Sequence, residues 1–238
     1  MNYKNRETCF LICKIKKVCY NVKRGSEKML ENIEVLYHSC IKISKERIIY
    51  IDPFHIDTEC HDADIIFITH DHYDHFSEND IYKVKKENTK IVAPDSLLEK
   101  ILVMGFKEEN ITTVDPGEAD KIEDIEYETI PAYNIDKQYH PKENGWVGYI
   151  LKIDDVKYYI AGDTDITEEN KKVQCDVAFV PVGGTYTMDF SEAAQLVNEI
   201  KPKIAVPIHY GSVVGTKQDA EDFVRLLHPS INGMILMK

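Results

Sequence analysis

The sequence predicts an α/β chain folded as a four-layer αββα sandwich. Three observations carry this expectation. Strand-rich stretches precede helical ones, and that order repeats along the chain. The run Ile65-Ile66-Phe67-Ile68 is continuously apolar, as a strand covered on both faces must be. No low-complexity segment or short repeat interrupts the scheme.

Ile33–Tyr37, Cys40–Ser44 and Arg47–Asp52 read as a meander of short strands joined by close turns. Asp64–Thr69 is the apolar strand. Ser77 with Asp80 marks the start of a helix running to about Asn88. Thr89–Ala93 is the next strand. Pro94-Asp95 opens a helix over Ser96–Met104, closed by Gly105. Ile111–Ile130 holds further strands. Its acids, Glu118, Asp120, Glu123, Asp124, Glu126 and Glu128, read as a solvated strand face. Trp146–Ile153 and Val156–Ala161 flank Asp154-Asp155 and predict a hairpin. Asp176–Val182 is a strand. Asp189 begins a helix, Glu192 completes its capping box, and it ends before Pro202. Lys203–Ile208 is a strand, Thr216 caps a helix to His228, and Ile231–Met237 closes the chain.

At 238 residues, 43% hydrophobic and 29% charged, the composition is that of one soluble domain. A formal charge of −12 argues against a nucleic-acid partner, which needs a basic footprint. An anionic small molecule is still compatible, because a metal inverts the local field. No stretch reaches membrane-spanning length. Cys9, Cys13, Cys19, Cys40, Cys60 and Cys175 form no CxxC pair and read as free thiols of a reducing cytosol. The first 28 residues are basic, cysteine-rich and without periodicity, whereas a clean strand pattern follows Met29. Arg24-Gly25 would be encoded by purine-rich triplets where a bacterial ribosome-binding sequence lies. Residues 1–28 are therefore expected to be a translated leader before a domain spanning 29–238.

The densest chemistry lies in His70-Asp71-His72-Tyr73-Asp74-His75, directly after the apolar strand. Ordinary surface turns are built from Asn, Gly and Ser rather than from imidazoles at this density. Histidine and aspartate on a tight loop at a sheet edge are ligands for zinc, manganese or ferrous iron. Two later strands end in the same fashion. Ala161-Gly162-Asp163 follows one, with Gly162 permitting a sharp turn, and Ile208-His209-Tyr210-Gly211 ends the other. Three strand ends that deliver ligand-type side chains are what one shared site requires.

These residues resemble the metallo-β-lactamase superfamily of metal-dependent hydrolases from about Ile33 onward. Its H-x-H-x-D-H motif stands here as His70, His72, Asp74 and His75, its G-D-[ST] aspartate as Asp163, and its last histidine as His209. Within it, the chain looks most like the branch that includes L-ascorbate-6-phosphate lactonase. The residues supporting this are His38-Ser39, Ile51-Asp52-Pro53 and the run from Pro181 to Met188. The resemblance implies the metallo-hydrolase fold and two divalent ions, zinc first, with manganese or iron as alternatives. It places His70 and His72 on the first ion, Asp74, His75 and His209 on the second, and Asp163 between them. It implies a hydroxide held between the metals as nucleophile, with Asp74 and Asp163 as the catalytic carboxylates.

One departure matters. The family usually supplies a third histidine to the first ion, and Asn134 falls where it is expected. Either His140 takes that place through a shifted loop, or Asn134 supplies a weak amide oxygen. Imidazole is the better ligand for a transition metal, which favours His140. If neither binds, a one-metal enzyme follows. His38 is open between a supporting role at the site and a plain structural one. His55, His61 and His228 read as surface residues, and Tyr186 and Tyr210 as core before substrate contacts. Gly183-Gly184 is open between a backbone approach to a ligand and a simple turn.

The expected function is thus a cytoplasmic, metal-dependent hydrolase of a small ester, lactone or phosphodiester. A phosphorylated lactone or cyclic phosphodiester fits the resemblance best. The contrasting expectation is a non-catalytic metal-binding or sensor protein that kept the fold. A metal-centred redox protein ranks last, since no flavin-binding extension is present.

Overall fold

The computed structural model describes residues 28–237, and the fold below is that of the unit beginning at Asn32. Cys9, Cys13, Cys19 and all but the last residue of the expected leader lie outside the described residues.

Six strands, β1 (Ile33–Tyr37), β2 (Cys40–Ser44), β3 (Ile48–Ile51), β4 (Ala63–Phe67), β5 (Lys85–Pro94) and β6 (Ile111–Val114), form one sheet in sequence order. The first two pairings are antiparallel, as a meander requires, and the next three are parallel. Helices α1 (Glu78–Val84) and α2 (Leu98–Val103) lie in the crossovers. The second sheet runs from β7 (Ala119–Ile122) through β8 (Ile125–Pro131), β9 (Val147–Ile153), β10 (Val156–Ile160), β11 (Val177–Pro181) and β12 (Ile204–Ile208) to the two-residue β13 (Asn232–Gly233). Here α3 (Phe190–Ile200) and α4 (Lys217–Leu226) supply the crossovers.

The period-two alternation of the strands sorts their side chains into layers. Ile66, Ile68 and Ile91 of the first sheet pack with Ile81, Val84, Leu97 and Ile101 of its helices. Ala178, Val180 and Ala205 of the second pack with Leu196, Val197 and Phe223. The opposite faces meet each other: Phe67 lies edge-on to Tyr127 and Tyr149, and the Tyr149 hydroxyl donates to the Ile68 carbonyl at 2.7 Å. Helix, sheet, sheet and helix are therefore stacked as the expected αββα sandwich. No helix of the described residues is long and apolar enough to cross a membrane.

Local chemistry explains most boundaries. Asp154 and Asp155 sit at φ 52° and 60°, the paired left-handed conformation of a two-residue hairpin turn. The Asp189 carboxylate accepts from the Ser191 and Glu192 amides, and Glu192 accepts from the Asp189 amide, so the predicted capping box forms.

The first helix is shorter than its sequence pattern suggests. It ends at Val84 rather than near Asn88 because Lys85 is drawn into the first sheet opposite Ala63. The Lys83 carbonyl, which would continue the helix, instead accepts the Cys60 and His61 amides at 3.0 and 2.9 Å.

Asp80 ties this short helix to the loop after β3. Its carboxylate accepts the His55 and Ile56 amides at 2.9 and 3.0 Å, with Lys83 and Ser77 also bound to it. Burial pushes the Asp80 carboxyl up, but Lys83, Ser77 and the two amides outweigh it and hold it below the ordinary range. Its contribution is therefore present above the unfolded value of about 3.9 and is lost as pH falls through the lower folded one. Asp80→Ala should cost roughly 1–3 kcal/mol, because buried amides lose their acceptor. Urea unfolding at pH 7 and pH 3 checks this. The loss should shrink at the acid end, and an equal loss at both would contradict the assignment.

Candidate metal centre

Five segments converge at one edge of the sandwich. Strand β4 leads into the loop from His70 to His75, which closes as a single turn with the His75 and Phe76 amides donating to the His72 carbonyl. Strand β10 leads to Asp163 through Gly162, whose φ of 65° turns the chain sharply. Strand β12 leads to His209. The loop between β8 and β9 contributes His140, and the turn between β1 and β2 contributes His38. Six of the chain's nine histidines thereby meet around two aspartates.

Asp163 lies at the centre. Its carboxylate oxygens are 3.0 Å from His209 Nε2, 3.3 Å from both His75 Nε2 and His140 Nε2, and 3.9 Å from His70 Nε2. On one side His70, His72 and His140 bring their ring nitrogens within 4.8 Å of one another; on the other, His38, Asp74, His75 and His209 do the same. His70, His75 and Asp163 form a third such group that joins the two sides. Apart from the half-buried His72, all these residues are buried.

The surrounding residues fix the rings. Asp52 accepts from His75 Nδ1 at 2.7 Å and also takes the Thr69 hydroxyl and amide at 2.6 and 2.8 Å. The Asn134 amide oxygen lies 3.1 Å from both the backbone amide and Nδ1 of His140. Asn134 Nδ2 donates to the Tyr186 carbonyl. Trp146 covers His70, His72 and His140 with ring centroids 4.9 to 5.5 Å away. His38, Asp52 and His209 all hold left-handed backbones, at φ 52°, 47° and 58°. Such strain in non-glycine residues persists where the surrounding structure needs it.

The electrostatics suit a cation. Burial pushes the Asp163 carboxyl up, but His209 and His75 hold it well below its ordinary value. Asp74 is likewise opposed by burial but held to about 2 by His38 and His75. Burial holds the His70 imidazole well below its usual value and His38 down to about 4, so both present neutral rings. Burial also disfavours charge on His75, yet Asp163 and Asp52 raise it well above the ordinary range. His75 Nε2, His140 Nε2 and Asp163 Oδ1 are buried and make no well-formed hydrogen bond, only the 3.3 Å approaches between these rings and the carboxylate. Buried polar atoms are normally satisfied. Three unsatisfied ones aimed at a common centre, all of ligand type, fit divalent metal ions.

The structure thus brings together His70, His72, Asp74, His75, His140, Asp163 and His209. The Asn134 side chain is instead engaged with His140 and Tyr186. His55, His61 and His228 are exposed. Tyr210 is core, whereas Tyr186 lines the cavity at the centre's mouth. The close approach at Gly183 is to the chain itself: a Cβ there would lie 2.3 Å from the His209 carbonyl oxygen. The supporting role of Asp52 was not read from the sequence. Its one signal is a carboxylate at the end of an apolar strand that lies beside β4.

Residues 32–209 match the β-lactamase superfamily domain. A metal-dependent hydrolase of Nanoarchaeum equitans is 32% identical over 202 residues, covering 81% of this chain and 90% of that protein. A solved structure of a candidate metal-dependent hydrolase from Parabacteroides distasonis superposes with a TM-score of 0.72 at 30% identity, covering 87% of this chain and 93% of the other. A metallo hydrolase from Ignicoccus hospitalis gives 0.70 at 22% identity, covering 87% and 95%.

Proposed function

The chain belongs to the β-lactamase superfamily, and we propose that it is a metal-dependent hydrolase with two adjacent metal ions that share Asp163. The observation carrying this reading is the position of Asp163 between two groups of ligand-type atoms. His70, His72 and His140 would hold the first ion; Asp74, His75 and His209 the second. When bound, two divalent ions lower the pKa of solvent water into the working range and polarise a carbonyl or phosphoryl oxygen. We take zinc as the first candidate, with manganese or iron as alternatives.

The chain's own residues supply position and exclusion. A cavity of about 200 Å³ opens onto the centre between Tyr73, Asp74, Tyr139, His140, Asp163, Tyr186 and Val213. Asp74 and Asp163 stay ionised on its floor and orient water there. Tyrosine rings form the walls, and no lysine or arginine lines it. A cavity without a cationic side chain suits a small neutral ester or lactone better than a substrate with a separate phosphate. That moves the reading away from a phosphorylated lactone and keeps a lactone. Neither nucleic acid nor membrane is proposed as a partner, and the cytosol is the proposed compartment.

The departure at Asn134 was the main motive for a non-catalytic reading. In the geometry His140 stands at the first group and Asn134 holds its ring, so we keep hydrolysis. His140→Ala should lower bound metal from two ions per chain towards one, read by elemental analysis after dialysis. Unchanged stoichiometry and affinity would remove His140 from the ligand set. Activity against lactones, thioesters and a generic phosphodiester should be abolished by chelator and restored by metal. Activity that survives complete metal removal would overturn the proposal.

A further inference from the structure

We infer that His38 is a protein ligand of the second metal ion, a deduction that rests on the two-ion reading above. His38 sits in the turn between β1 and β2, fully buried. Its Nδ1 lies 3.0 Å from the Ser212 hydroxyl, and its buried Nε2 makes no well-formed hydrogen bond, its neighbour being Asp74 Oδ2 at 3.2 Å. Two proposed ligands have the same arrangement. His75 rests Nδ1 on Asp52 and His140 rests Nδ1 on Asn134, and each leaves Nε2 unsatisfied. A ligating imidazole usually has this division, with one ring nitrogen held by the protein and the other free, although His209 Nδ1 has no such partner.

The position fits as well as the pattern. His38 Nε2 lies 3.2 Å from Asp74 Oδ2, and the ligand atoms of His38, Asp74, His75 and His209 all lie within 4.8 Å of one another. The turn is tied to the far side of the centre: the His209 amide donates to the His38 carbonyl at 3.0 Å, and the two rings lie 3.9 Å apart. Both residues hold left-handed backbones.

The two centres then differ in kind. The second has four protein ligands besides the shared Asp163, and His38, His75 and His209 are all absent from the cavity wall. The first has three imidazoles, and two of them, His72 and His140, face the cavity. A centre filled by protein is closed, whereas one with a free position is where substrate binds. On this reading the second group would hold its ion more tightly, and the first, with His72 and His140 on the cavity wall, would be the more open to a bound substrate, although Asp74 also lines the cavity.

The test is nitrogen-15 NMR of the full chain labelled at histidine and loaded with cadmium-113. The His38 resonance is assigned by its loss in His38→Gln. Direct cadmium–nitrogen coupling is expected at Nε2 of His38, His75 and His209. Coupling at His75 and His209, with His38 uncoupled and protonated at Nε2, would overturn the inference and leave the two-ion reading intact. In that case His38 only orients Asp74. Absence of coupling at every histidine would overturn both. A second readout is cadmium affinity at the second centre, which should fall by at least about tenfold in His38→Gln, with the first centre unchanged. Equal affinity in the variant would also count against ligation.

Discussion

Asp163→Ala should remove more than any other single change: both ions should be lost on dialysis, and kcat/KM should fall by on the order of 10³ or more. The reason is geometric. Asp163 is the one carboxylate within 4 Å of imidazoles from both sides, at 3.0 Å from His209 and 3.3 Å from His140. Its loss takes a ligand from each centre together and leaves those rings without their counter-charge. Asp163→Asn keeps the shape but not the charge, so it should restore folding without restoring metal. Elemental analysis and kinetics on both variants, with circular dichroism to monitor the fold, check this. Near-normal metal content in the alanine variant would contradict the shared role.

Asp52→Ala should give the second-largest effect, on stability as well as on metal. Asp52 is 1% exposed and serves three donors: the Thr69 amide, the Thr69 hydroxyl and His75 Nδ1. Each buried donor left bare costs about 1–3 kcal/mol, so a total of roughly 3 kcal/mol or more is expected. Freed from Asp52, the His75 ring loses its fixed tautomer and orientation, and metal affinity should drop about 10–100-fold. Thermal unfolding with and without added metal separates the two effects. If the variant melts like the parent and binds metal as well, Asp52 does not hold His75 in place.

Where the fold is set by local chemistry, it was legible in the sequence. Asp154-Asp155 makes its hairpin, and Asp189 with Glu192 makes its capping box. Both depend on residues close together in the chain. The misjudged end of α1 depends instead on pairing between Lys85 and Ala63, which helical spacing cannot reveal.

The same division holds at the site. His70, His72, Asp74 and His75 stand in one motif, and Asp163 and His209 announce themselves by ending strands. The supporting residues carry no such sign. Asp52 reaches His75 only because β3 and β4 are neighbours, and Ser212 reaches His38 only because the β1–β2 turn and the segment after β12 meet at this edge. The choice between Asn134 and His140 was a question of loop shape. The loop after β8 folds back so that the Asn134 backbone amide donates to the His140 carbonyl at 2.8 Å.

Anomalous diffraction from crystals of the zinc-loaded protein tests the central claim most directly. Two peaks are predicted, one on each side of the Asp163 carboxylate and about 3.5–4 Å apart. A single peak, or peaks that do not contact Asp163, would contradict it.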